Sequence, residues 1–345
     1  MTIKDVARKS GFSVTTVSFV LNDAPLAQRL PIETKERIRS AAEELGYRPN
    51  PFARSLRKKH SHMIGIVLFD ATDPYCAQVL RGIETSLDHS NTYLPILTDI
   101  QNDQTRFNRY VTLLIERQVA GLIALASSSS PAREMRKLLS ECQIPTVLIG
   151  REIKRGALSS VTVANAEGAV AALEHLYLLG HRRIAFIKGP ESFIESKQRW
   201  SGSQKFAAQA GLSIDPRLVA ELKQPNSSNE EGAELTRLLV ESGREFTALV
   251  AYDDMTAFGA IRALHRLGRK VPDDCSVTGF DDVASAAYYN PPLTTVRQGM
   301  EELGSAAVEL LLKAIEDSVQ NKKTTAGNRR IQPQLVVRES TSCPG

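Results

Sequence analysis

Apolar positions in the first 45 residues recur at helical spacing. Ile3, Val6 and Ala7 keep the i, i+3, i+4 pattern of a helix with one buried face. Thr2 is placed to cap it, Asp5 completes a weaker version of the capping box, and Gly11 is placed to stop it. Ser13 then caps a second segment, "SVTTVSFVLN". Read as a strand, this segment scatters Val and Thr over both faces. Read as a helix, it sorts: Val17, Val20 and Leu21 share one side, Thr15, Ser18, Phe19 and Asn22 the other, with Thr16 at the edge. A third helix runs from about Ile32 to Leu45, apolar at Ile38, Ala41, Ala42 and Leu45, and ends at Gly46.

From Met63 the period changes. The runs MIGIVLF, TYLPILT, AGLIALA, PTVLIG, RIAFIKG, TALVAY and CSVTGF alternate with helical patterns. That alternation predicts βαβ units and parallel sheets buried on both faces. The stretch is longer than one ordinary sheet domain, so two open α/β lobes are expected, with a break near SSVTVANAEG. Near the end, PPLTTVRQG precedes a long helix, about Met300–Val319, and then a strand in IQPQLVVRES. Between head and lobes lies YRPNPFARSLRKKHSH, where Pro49 and Pro51 break structure. Asn50 followed by Pro51 is also a helix start, but a helix over about Pro51–Arg57 is too short to hold alone.

Charge changes this picture. Residues 1–62 hold 12 Lys/Arg against 6 Asp/Glu, and the remainder 31 against 33. A basic head on a slightly acidic body points to a polyanionic partner for the head. Two short helices around a tight turn, the second presenting hydroxyls and one aromatic, make a helix-turn-helix, whose second helix enters the DNA major groove. The other features are quieter. No apolar run approaches a membrane span, the charged N-terminus does not read as a signal peptide, and Cys76, Cys142, Cys275 and Cys343 form no CxxC pair. A cytoplasmic protein with reduced thiols is expected.

Three separated segments, TIKDVARKSGFSVTTVSFVLN, TKERIRSAAEELGYRPNPFARSL and VPDDCSVTGFDD…PPLTTVRQGMEELG, closely resemble the LacI/galactose-repressor family of bacterial transcription regulators. The resemblance covers essentially the whole chain. It implies an all-α helix-turn-helix head (1–48), a hinge helix and linker (49–62), and a two-lobed periplasmic-binding-protein-like (type I) effector domain with parallel sheets. The first lobe is assigned 63–164 plus 295–325, the second 165–294 plus 326–345. It further implies a homodimer on a pseudo-palindromic operator, a small-molecule effector that is a carbohydrate, no other cofactor or metal, and no membrane partner. The C-terminal VVRESTSCPG carries no leucine heptad of the kind that would build a tetramer.

By match to the family's motifs, Ser13, Thr15, Thr16, Phe19, Asn22, Tyr47, Asn50, Ala53, Arg54, Leu56 and Arg57 face DNA. Leu56, in ARSL, is the expected minor-groove wedge, which kinks the duplex at the cost of unstacking it. Arg54, Arg57 and Lys58 would sit near phosphates. Phe19 departs from the family, which often has an arginine there; it implies an apolar or thymine-methyl contact in place of bidentate guanine reading. The connection DAPLAQRLP is a few residues longer than usual.

Ligands of open parallel sheets sit at the carboxyl ends of strands. Asp73, Tyr75, Arg151, Asp253, Asp281 and Asp282 follow such ends, with Asp253 and Asp282 reading as helix N-caps. By resemblance, Asp281 (first Asp of GFDD), Arg199 (in RWSG) and Tyr75 are effector residues. Cys76 and Tyr252 occupy further effector positions where the family often has an aromatic and an Asn, and Gly150 stands where Asp is frequent. Two rival functions fit the sequence less well. A sugar transport protein is opposed by the basic helical head. An enzyme is opposed by the lack of GxGxxG after a strand, GxxxxGK[ST], GxSxG and HExxH. His181, in LGHRRIAFI, reads as structural.

Overall fold

The computed structural model describes the chain except residues 23, 48–60, 91, 126–136, 140–143, 153–157, 224–228, 321 and 323–325. It divides into two units, Met1–His62 and Met63–Gly345. Asn50, Ala53, Arg54, Leu56 and Arg57 lie outside the described residues.

The head comprises α1 (Ile3–Ser10), α2 (Val14–Leu21), a 3-10 turn (Pro25–Arg29) and α3 (Ile32–Glu44). Asp5 accepts the Thr2 N–H at 2.8 Å and the Thr2 hydroxyl at 2.9 Å, closing the first turn of α1. Gly11 ends α1 at φ 76°, where its N–H reaches the Ala7 carbonyl at 3.0 Å. Val6, Val17, Val20 and Ile38 are at most 1% exposed and join the three helices. This burial, more than intrinsic propensity, holds the Thr- and Val-rich α2 helical.

In the body, a first parallel sheet orders its six described strands β11-β5-β4-β3-β1-β2: β1 (Met63–Leu68), β2 (Leu94–Asp99), β3 (Gly121–Leu125), β4 (Thr146–Ile149), β5 (Ser159–Val163) and β11 (Asn328–Ile331). A second runs β7-β6-β8-β9, from β6 (Ile184–Lys188), β7 (Val219–Glu221), β8 (Ala248–Ala251) and β9 (Ser276–Thr278). An antiparallel pair, β10 (Thr295–Arg297) and β12 (Gln334–Val336), bridges onto the end of the second sheet through Thr278 and Thr294. Alternation along β1 buries both faces: Ile64, Ile66 and Leu68 join the core under α4 (Pro74–Ser90) and α10 (Met300–Val319), while Val67 faces Phe107, Val111 and Leu114 of α5 (Gln104–Glu116). The second lobe carries α6 (Asn165–Leu178), α7 (Ile194–Ala210), α8 (Asn229–Glu241) and α9 (Asp254–Arg266).

The chain passes between the sheets after Val163, after Arg297 and after Ile331. This corrects two of the expected boundaries. β10 belongs with the second lobe, where Val296 packs on Ala172 and Phe280, so the crossing falls after 297 and not at 295. Asn328–Ile331 pairs with β5 in the first sheet, so 326–331 is not second-lobe chain, and IQPQLVVRES is not one strand. Pro333 has no N–H to give a ladder and separates β11 from β12.

Helix pairs approach closely through glycine. A Cβ on Gly82 of α4 would lie 2.0 Å from the Glu301 carbonyl oxygen of α10, and one on Gly259 of α9 would lie 2.0 Å from the Asn229 carbonyl oxygen of α8. Neither backbone oxygen can step aside as a flexible side chain would. Gly259→Ala is therefore expected to destabilise the body by about 1–3 kcal/mol, lowering its melting temperature by roughly 3–10 °C. Thermal unfolding checks this, and an unchanged midpoint would contradict the close packing.

Candidate functional site

On the head, α2 presents an exposed Thr15 and partly exposed Thr16, Ser18 and Phe19 opposite the buried Val17 and Val20. Ser13 is exposed and caps α2, its Oγ accepting the Thr16 N–H at 3.1 Å. Asn22 turns back onto its own helix, donating to the Ser18 carbonyl at 2.8 Å. Tyr47 is partly buried and packs on the head core. Ser13, Asn22 and Tyr47 thus have structural work in the head, whereas among the described residues Thr15 and Phe19 are no part of the head core.

In the body, a cleft of about 800 Å³, its open mouth included, gathers the carboxyl ends of strands from both sheets. From the first lobe come Phe69, Asp73 and Tyr75 after β1, Asn102 after β2, and Gly150 after β4. From the second come Phe193 and Glu195, Arg199 on α7, Tyr252 and Asp253 after β8, and Asp281 after β9. Two crossing segments add Asn165 and Gln298. β1 lies between β2 and β3, and β6 between β7 and β8, so both sheets reverse strand order here, the usual ligand position in open α/β sheets.

Arg199 is held from several sides. Its Nε donates to Asn165 Oδ1 at 3.0 Å and its Nη1 to the Tyr252 carbonyl at 2.7 Å. The guanidinium lies 3.7 Å from the Phe280 ring centroid and 4.7 Å from that of Tyr252, a cation–π sandwich. Its Nη2 stands 3.8 Å from Asp281 Oδ1. Tyr252 reaches this place because residue 189 is glycine: a Cβ there would fall 2.4 Å from the tyrosine ring.

Asp281 accepts from the Gln298 amide and has φ 128°, and Asp282 has φ 59°. Two consecutive non-glycine residues at positive φ store strain, of order 1–3 kcal/mol each. The surroundings enforce it: Asp282 pairs with Arg297 at 2.7 Å and Arg338 at 2.6 Å, and the Asp281 N–H reaches the Val296 carbonyl at 2.8 Å. Asp254 ties the same turn, accepting the Val283 N–H at 2.9 Å and the Thr295 hydroxyl at 2.5 Å.

Burial pushes the Asp73 carboxyl up to about 6, with Asp253 adding to the effect. Burial likewise raises Asp254 to about 7 and holds Asp281 well above the carboxylate range, against the opposing pull of Arg199. A carboxyl raised in the fold binds its proton more tightly there than in the unfolded chain, so these groups add stability as pH falls. For Asp73 the gain begins as pH drops through about 6 and is complete below its ordinary 3.8. His175 and His181, lowered by burial, lose stability as pH falls through the same range, so the carboxyl contribution is read by variant. Asp73→Asn, which mimics the protonated form, should be stabler at pH 7 and show a smaller pH dependence. An unaltered profile would contradict the buried placement.

The structure brings together Asp73, Tyr75, Arg199, Tyr252 and Asp281, and leaves out two expected residues. Cys76 is fully buried, on the α4 stripe of Cys76, Val79, Ile83 and Leu87 that faces the sheet, so it is core and not lining. Arg151 is buried outside the lining, and Gly150 meets the cleft in its place. Asp253 is the expected N-cap, bonding the Thr256 N–H at 2.8 Å, and also lines the cleft. Asp282 is no cap but an ion-pair partner. His181 is buried, bonding Thr247 at 2.9 Å, Ser276 at 3.1 Å and the Ser342 carbonyl oxygen at 2.9 Å, which seats the C-terminal segment. Unforeseen polar and aromatic lining residues are Phe69, Asn102, Asn165, Phe193, Glu195 and Gln298. The strand-end rule could have found Asn102 and Asn165.

Residues 2–50 match the family of bacterial regulatory proteins, lacI family, and residues 173–341 match the periplasmic binding protein-like domain. The chain is 35% identical to the HTH-type transcriptional regulator RegA of Clostridium saccharobutylicum, over 98% of each chain. The chain belongs to the lacI family. It is a DNA-binding transcriptional regulator and not an enzyme. Among solved lacI-family structures, the lac repressor dimer bound to operator and the anti-inducer ONPF superposes with TM-score 0.85 at 26% identity, covering 99% of both chains. The regulator CelR in complex with cellobiose gives TM-score 0.72 at 27% identity, also over 99% of both. Among the described residues no helix is long and apolar enough to cross a membrane.

Proposed function

We propose that this lacI-family regulator is a dimeric, cytoplasmic repressor whose grip on a pseudo-palindromic operator is set by a small sugar-like molecule held between its two lobes. The observation that carries the reading is the Arg199–Asp281 pair at 3.8 Å, facing Asp73 and Tyr75 of the other lobe across one cleft. Carboxylates and an arginine suit paired hydroxyls, and flat aromatic rings cover a sugar's apolar face. The CelR–cellobiose neighbour supports a carbohydrate, and the operator-bound lac repressor dimer supports DNA and dimer. No resident cofactor has a role in this scheme.

A ligand that binds one arrangement of the lobes better than another shifts their balance, and that difference in affinity is all the coupling requires. The crossings beside Asn165 and Gln298 are where such a change turns, since Arg199 and Asp281 each bond one of these amides. Thr15, Thr16 and Phe19 then read base edges, and Leu56 wedges the minor groove from the segment 49–62. Leu56→Ala is expected to weaken specific operator binding well over tenfold, by equilibrium titration on the operator. Unchanged affinity would remove the wedge from the account.

A further inference from the structure

The lining of the cleft is unbalanced in charge. Asp73, Glu195, Asp253 and Asp281 line it, against Arg199 as the one cationic side chain among the described lining residues. Asp73 comes from the first lobe and the other three from the second, so the carboxylates face one another across the opening. Arg199 has Nε and Nη1 committed to Asn165 and the Tyr252 carbonyl, and its Nη2, 3.8 Å from Asp281, offsets one of the four carboxylates.

The walls supply an independent observation. Phe69 and Tyr75 form a stacked pair, centroids 6.1 Å apart and 25° between planes, on the first-lobe side. Phe193 lines the second-lobe side together with Tyr252, whose ring already carries the Arg199 guanidinium. Aromatic rings beside carboxylates attract organic ammonium groups through their negative faces. The carboxylates are not gathered closely enough for a metal ion: among the described residues, no group of three or more His, Cys, Asp or Glu could hold one.

We propose that the ligand of this cleft is an aminated sugar, a polyhydroxylated ring carrying a protonated amine, whose charge is met by the carboxylates of both lobes and the aromatic walls. The inference rests on the effector-cleft reading above and deepens it. A neutral sugar offers these buried carboxyls hydrogen bonds only, and burial then favours their protonated forms; an ammonium placed between the lobes stabilises the ionised forms and binds to both. The amine thus draws the lobes together, and the hydroxyls of the ring take the remaining acceptors.

The test uses the full-length protein and isothermal titration at pH 7 and low salt. D-glucosamine, D-galactosamine and D-mannosamine are each compared with the neutral hexose and the N-acetyl derivative. The expected result is that at least one aminated sugar binds at least tenfold tighter than both of its uncharged counterparts, and that Asp281→Ala removes the binding. An uncharged sugar that binds equally or better, and is lost in Asp281→Ala, overturns the charge assignment while the cleft reading stands. Binding by none of the three amines also overturns it. Amine binding that survives Asp281→Ala lies outside the cleft and overturns the proposal. Thermal unfolding of the same variant distinguishes a lost binding contact, with the body's melting transition retained, from a misfolded body.

Discussion

Asp281→Ala is expected to leave operator binding intact and to abolish the ligand's control over it. Asp281 lies at the carboxyl end of the second sheet, and the head that meets DNA is a separate unit built on its own core. Removing the carboxylate deletes charge-assisted hydrogen bonds to the ligand, each of about 1.5–3 kcal/mol, or roughly ten- to hundredfold in affinity. It also frees the Gln298 amide from its acceptor and releases a residue held at φ 128°. Alanine does not favour that φ, so Asp281→Asn, which tolerates it better, is the companion variant. Both should lose the ligand response in a titration of DNA release, while retaining the ligand-free affinity for DNA. A normal response in either would separate this residue from the control of DNA binding.

Phe19→Ala carries the second large effect. Phe19 stands on the outer face of α2 and is only partly covered by the head. An apolar side chain so placed gains little by burial within the fold; its use is contact with a base edge or thymine methyl. Loss of one base contact costs about 1–3 kcal/mol, or about ten- to hundredfold in specific affinity. Because phenylalanine neutralises no phosphate, the slope of log affinity against log salt should not change. Competition with unrelated DNA over a range of salt concentrations measures both quantities. A reduced slope, or equal weakening on all sequences, would make Phe19 a structural residue and not a reader.

Elements whose pattern is local were legible from the sequence. The head helices were marked by capping residues and by Val6, Val17, Val20 and Ile38 at helical spacing. The body strands were marked by continuous apolar runs, as parallel strands buried on both faces must be. What the sequence hid was set by distant partners. β11 is Asn328–Ile331, largely exposed and without apolar alternation, and it is a strand because β5 offers it an open edge. Cys76 follows a strand end as a ligand residue would, but its place on the α4 stripe turns it inward, a periodicity visible in the sequence and outweighed there by the family motif. Phe193, Glu195 and Gln298 carry no local mark; they reach the cleft because α7 and the second crossing bring them there. Tyr252 was legible as a departure from the family, but its dependence on Gly189 was not, since the two come from neighbouring strands β8 and β6.

One chain joins a DNA-reading head to a ligand-binding cleft, and one measurement addresses both. The full-length protein is footprinted at low salt on the DNA upstream of its own gene, with and without the sugar panel used for the cleft. A protected site with two related halves is expected, and loss of that protection with at least one sugar, which fails in Asp281→Ala. No protected site at any protein concentration, or protection that no sugar alters while the same sugar binds the cleft, would contradict it.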